Sequence, residues 1–131
     1  MRHAYSVAAV RAAEQSLLSQ QNYDDELMRS AARGVAATAT AMLAPGQRVT
    51  ILAGPGGNGG DGLYAGAFLA EEGYSVAAIL AADAAHEPAL QAFTGAGGTI
   101  TERLGEADLL IDAVAGLALS LIHISEPTRL G

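Results

Sequence analysis

The chain has 131 residues, a formal net charge of -7, and seven basic residues that are all arginine; without lysine it can form no Schiff base and cannot hold phosphate in the Walker manner. Cysteine is absent, which excludes disulfide frameworks, thiolate nucleophiles and sulfur-ligated zinc. The acidic balance with scattered arginines lacks the basic stripe that nucleic acid requires, and no apolar run approaches the roughly 20 residues of a bilayer span. Neither nucleic acid nor membrane is therefore expected as a partner, and the cytoplasm is the expected location. Half of the residues are hydrophobic but only 5% are aromatic, so the core must be built from small side chains that allow close approach of backbones.

The predicted elements alternate along the chain. A first helix is expected with Ser6 as its cap and Val7, Val10, Leu17 and Leu18 on one face; Glu14 in that stripe is read as a solvated carboxylate. A second helix is expected to start near Asp24 and Asp25, whose charges suit the positive end of its dipole. Its seam would be Leu27, Ala31, Val35 and Ala39, with Met28, Ala32, Ala36, Met42 and Leu43 beside it. Pro45 and Gly46 break that helix, and Arg48 to Ala53 reads as a buried strand. A glycine-rich loop follows, then a helix from about Gly60 to Glu72 and a strand from Tyr74 to Leu80. Glu87 and Pro88 open a helix to about Ala96, and strands are expected at Thr99 to Thr101 and Asp108 to Val114. Strands and helices alternating at this spacing predict parallel βαβ units with right-handed crossovers, in the strand order 3-2-1-4. Asp83, Glu106 and Asp108 are read as solvated loop charges, His86 as a surface residue beside a helix start, and His3 as part of a terminal arm.

The segment from Leu119 to Arg129, LSLIHISEPTR, does not continue the pattern. It resembles, codon for codon, the translation of a transposase adapter used in library preparation, so residues 119–131 are set apart as non-native. His123 and Glu126 then carry no chemistry. Residues 1–118 are left as one domain, incomplete at its C-terminus. Ending there would leave the apolar edge of LLIDAV open and the chain prone to aggregate.

The stretch that points to chemistry is GPGGNGGDG, Gly54 to Gly62, between a strand end and a helix start. Glycines let the backbone bring its N–H groups close to a ligand, a helix N-terminus favours an anion, and open α/β sheets bind ligands at the carboxyl ends of their strands. Gly54, Gly56 and Gly59 satisfy the GxGxxG pattern, and Asp83 stands near where a ribose-binding acid would be, so an NAD-dependent oxidoreductase is one reading. Asp61 fits that reading poorly, because its carboxylate would lie close to a pyrophosphate. Asn58 and Asp61 instead offer oxygen atoms to a cation, or serve as helix cap and first-turn acid.

The loop resembles the GxNNGGDG signature of the YjeF N-terminal family. YSVAAVRAAEQ (Tyr5 to Gln15), ELMRSAARG (Glu26 to Gly34) and DLLIDAVAG (Asp108 to Gly116) resemble that family's other early blocks in the right order. The resemblance implies a Rossmann-like α/β fold with a three-layer parallel sheet. The implied activity is that of an NAD(P)H-hydrate epimerase, an isomerase that interconverts the R and S epimers of hydrated NADH and NADPH in nucleotide repair. Carried over by motif position, Gly57, Asn58, Gly59, Gly60 and Asp61 would contact the hydrated dinucleotide, while Asn58 and Asp112 would hold a potassium ion. The implied partners are an NAD(P)H-hydrate dehydratase, separate or fused, and a second copy in a homodimer. Gly57 departs from the signature, standing where the first asparagine of NNGGDG would be. The family's later phosphate loop and its catalytic aspartate have no counterpart in these residues, so the chain as written should not catalyse. A rival from another class is a scaffold module on the same fold that has lost catalysis; Asn58, Asp61 and Asp112 argue against it.

Overall fold

A computed structural model describes the backbone of residues 7–81 and 85–124, with side chains described from Asp25 to Ile122 within those spans. His3, Ser6, Glu14, Asp83, His123 and Glu126, and the apolar stripe from Val7 to Leu18, lie outside the residues or side chains so described. The first element is a single helix, α1, from Val7 to Met42, where two helices were expected. No glycine or proline interrupts the sequence between Gln15 and Asp24, so nothing stops the backbone hydrogen bonds from continuing. The helix ends at Met42, and the next N–H, that of Leu43, still reaches the Ala39 carbonyl at 3.0 Å. Pro45 cannot continue the ladder, and Gly46 turns the chain with φ 79°.

The remaining elements are β1 (Arg48–Ala53), α2 (Gly56–Glu71), β2 (Ser75–Leu80), α3 (Glu87–Gly95), β3 (Thr99–Ile100), β4 (Ala107–Ala113) and β5 (Ala118–Ile124). They form one five-stranded sheet in the order β3-β2-β1-β4-β5, which contains the expected order 3-2-1-4. The pairs β1/β2, β1/β4 and β2/β3 are parallel. β5 is antiparallel to β4, with Leu119 opposite Ile111 and Leu121 opposite Leu109. The segment set apart in the sequence thus supplies a strand, and the edge of LLIDAV, expected to lie open, is paired.

The core sits between the sheet and α2. Val49, Ile51, Val76, Ala78, Leu109 and Ile111 are buried on the face that α2 covers, together with Leu63 and Leu69 of α2 and Phe93 of α3. Each large aliphatic or aromatic side chain so buried contributes about 1.5–3 kcal/mol. α2 comes close because small residues face the strands: a Cβ at Gly62 would overlap Ala113 and crowd Ile51, and one at Gly66 would overlap Ile51 and Phe93. On its outer side α2 is covered by α1, through Ala32, Ala36, Ala39 and Leu43. The expected seam holds at Val35 and Ala39 and shifts at its start: Leu27 is 52% exposed and Ala31 is exposed, and the flanking Met28 and Ala32 turn inward instead. Asp108 corrects another expectation. It lies within β4, 8% exposed, and accepts the Arg48 backbone N–H at 2.8 Å, while the Arg48 side chain pairs with Glu106 and approaches Asp108 at 3.7 Å.

Candidate functional site

Strand order reverses direction at β1, with β2 on one side and β4 on the other, and a crevice beyond the carboxyl ends of the strands forms at such a switch point. At that end the segments leaving β1 and β4 touch main chain to main chain. The Gly54 N–H donates to the Ala113 carbonyl at 3.0 Å, and a Cβ on Gly54 would stand 2.9 Å from both Cα and carbonyl oxygen of Val114. The next turn of chain folds back onto Gly54 from the other side, since a Cβ on Gly59 would collide with the Gly54 carbonyl.

The glycine run is not a loop ahead of the helix; it is the helix's first turn. α2 starts at Gly56, with Pro55 in the capping position and making no side-chain bond to the first N–H groups. Asn58 therefore lies inside the first turn and does not cap it, which corrects the expected cap and the expected start near Gly60. The uncapped N–H groups and the helix dipole make this end a place for an anion.

Against the first turn lies a pocket of about 310 Å³ lined by Leu27, Met28 and Ala31 of α1 and by Gly57, Asn58 and Asp61 of α2. Three of the five loop residues expected to bind ligand thus share one wall, with Gly57 and Asn58 exposed. Gly59 and Gly60 are buried beneath them. Asp112 is not among the pocket's lining residues: it sits at the end of β4, exposed, in register with Leu52, and its Oδ1 accepts the Val114 N–H at 3.2 Å. Burial pushes the Asp61 carboxyl above its ordinary range, and the nearby His86 partly offsets this.

Sequence reading missed a polar cluster at the edge of this site. Asp25 of α1 accepts the Tyr64 hydroxyl at 2.6 Å through one oxygen and lies 2.7 Å from His86 Nε2 through the other. His86, half-buried at the start of α3, meets the Tyr64 ring edge to face, and the Arg29 guanidinium lies over that ring, 5.1 Å from its centre. Burial works to raise the Asp25 pKa, but the hydrogen bonds from Tyr64 and His86, with the charges of His86 and Arg29, hold it below the ordinary value. Burial and the Asp25 carboxylate push the Tyr64 hydroxyl up. The partners are 39 and 61 residues apart, too far for any local spacing to reveal. Tyr64, one turn beyond Asp61 on a helix that is otherwise glycine and aliphatic there, was the one available signal.

An open α/β sheet with a glycine-rich helix start at its switch point is an architecture that places ligands beyond the carboxyl ends of the strands. Residues 24–129 match the family model described as YjeF-related protein N-terminus, and the chain belongs to that family. Among its relatives, the bifunctional NAD(P)H-hydrate repair enzyme Nnr of Mycobacterium leprae is 45% identical over 126 residues, covering 90% of this chain and 26% of the relative. The enzyme of the same name from Corynebacterium glutamicum is 47% identical over 108 residues, 76% of this chain and 19% of its own length. The NAD(P)H-hydrate epimerase of Microbacterium testaceum is 41% identical over 122 residues, 87% of this chain and 46% of its own. The chain thus spans less than half the length of each of these curated relatives. No helix among the described residues is long and apolar enough to cross a membrane.

Proposed function

We propose that the protein is an NAD(P)H-hydrate epimerase that binds hydrated NADH or NADPH against the first turn of α2. The observation that carries this is the uncapped glycine turn beside the pocket of Leu27, Met28, Ala31, Gly57, Asn58 and Asp61, in a chain of this family. The N–H groups of that turn hold the ligand's pyrophosphate, Asn58 contacts it from an exposed position, and the apolar α1 wall excludes water from one side. Asp61 is the one cost to an anionic ligand, and the charge of His86 nearby lessens it.

A potassium ion belongs to the same reading. Asn58 and Asp112 both expose oxygen donors at the carboxyl end of the sheet, and an oxygen-only set suits a hard cation. Among the described residues no group of three or more His, Asp or Glu side chains gathers to hold a softer metal. The ion would supply positive charge near the ligand. The dehydratase that consumes one epimer is the functional partner, a reading supported by relatives named as bifunctional NAD(P)H-hydrate repair enzymes, and the working form is a homodimer.

The test is to incubate the full gene product with chromatographically pure R-hydrate of NADPH and to follow the S epimer. Its appearance, slowed when tetramethylammonium replaces potassium, supports the proposal. Binding of the hydrate without epimerisation would favour the scaffold reading, and hydride transfer from unmodified NADPH to a small substrate would favour an oxidoreductase.

A further inference from the structure

We infer that Asp25, Tyr64 and His86 are positioning residues for the glycine turn, acting as a clamp that fixes α1 and the start of α3 on either side of Gly60. The inference rests on the proposed function only for the identity of the ligand. Both oxygens of the Asp25 carboxylate are engaged, one by α2 and one by α3, so one side chain ties three helices. Gly60 shows what the tie holds in place. A Cβ there would overlap the Met28 sulfur and lie 3.3 Å from the His86 Cβ, so α1 and His86 both rest on the bare backbone of the glycine turn, two residues after Asn58.

The pocket wall follows from the same geometry. Leu27, Met28 and Ala31 lie within two turns of Asp25 on α1, and Asp61 lies one turn before Tyr64 on α2. The bond between Asp25 and Tyr64 therefore adds to the packing of Ala32, Ala36, Ala39 and Leu43 on α2 in setting the separation of the two pocket walls. α1 packs chiefly on α2, so no strand fixes its approach independently. A charge-assisted bond in a half-buried place is strong enough to hold such a spacing, and charged partners keep it short.

The test is hydrogen exchange on the 131-residue chain, comparing peptides over residues 55–63 with peptides from β1 and β4. Tyr64→Phe removes only the hydroxyl and keeps the ring for Arg29 and the core, and His86→Ala keeps the Cβ that rests on Gly60. Both should speed exchange in the glycine turn on the order of tenfold while leaving β1 and β4 protected. His86→Gln, which can still donate to Asp25, should restore slow exchange. Unchanged exchange in the turn, or an equal rise through turn and strands, would overturn the inference, the latter because it would show a merely global stabilising role. A parallel calorimetric titration with hydrated NADPH separates the two claims: a loosened turn in the variants of a chain that never binds the hydrate would support the clamp while sinking the ligand reading.

Discussion

Replacing Gly59 with alanine adds one methyl group where the chain has no room to receive it. That methyl would fall on the carbonyl of Gly54, and Gly54 cannot retreat, because the Val114 backbone already stands 2.9 Å from the position of its own absent Cβ. Relief requires separating main chain from main chain, which also stretches the 3.0 Å bond from the Gly54 N–H to Ala113 that joins the ends of β1 and β4. Overpacking costs about 1–3 kcal/mol where side chains can shift; with only backbone to move, the expected loss is about 3 kcal/mol or more. Gly57 provides the control, two residues earlier in the same turn, with nothing within 4 Å of a Cβ and no positive φ. Gly57→Ala should be neutral or gain about 0.5–1 kcal/mol from better helix propensity. Urea denaturation followed by circular dichroism measures both, and the Gly59→Ala midpoint on heating should fall by roughly 10 °C. A Gly59→Ala protein as stable as the parent, or a Gly57→Ala protein equally damaged, would refute the packing argument.

Other expectations rest on single contacts. Phe93→Ala, which empties a site fully buried against Gly66 and Gly98, should cost about 3–5 kcal/mol in urea denaturation. Asp108→Ala leaves the Arg48 backbone N–H without its 2.8 Å acceptor and should cost about 1–3 kcal/mol, whereas Glu106→Ala at the exposed pair should change stability by less than about 1 kcal/mol. Asp61 and Asp25 should respond to pH with opposite signs. The Asp61 pKa is raised by burial, so its contribution is fully present below the ordinary value of 3.8 and is lost as pH rises through the folded value; Asp61→Asn should be more stable than the parent at pH 7 and little different near pH 3. The Asp25 pKa is lowered, so its contribution is present above the ordinary value and lost as pH falls through the folded one; Asp25→Asn should flatten the acid limb of the stability profile.

The strands were the most legible part of the fold. Arg48 to Ala53 was bounded to the residue, because a β-branched and aliphatic run between Gly46 and Gly54 has one interpretation. The helix ends were harder. Glycine weakens a helix in isolation, so GGNGG reads as loop; here tertiary packing on Ile51, Ala113 and Gly54 rewards the missing side chains and the helix begins four residues early. α1 was divided because acidic residues at Asp24 and Asp25 look like a helix start, yet Asp25 serves the Tyr64 and His86 contacts. The glycine run was legible as the junction between β1 and the next helix from its composition and its place after a strand. The cluster beside it was not, since sequence shows charge but not which distant partner will neutralise it, and the same blindness made Asp108 look solvated.

The site is held by main chain against main chain, at Gly54 with Gly59 and at Gly54 with Val114. Contacts of that kind offer substitution almost nothing to alter. The aliphatic residues around them can be exchanged for others of similar volume, and the ligand end would stay where it is as long as a few glycines persist. Inheritance of the main-chain geometry where β1 and β4 end therefore depends on keeping Gly54, Gly59 and their spacing more than on which aliphatic residues surround them.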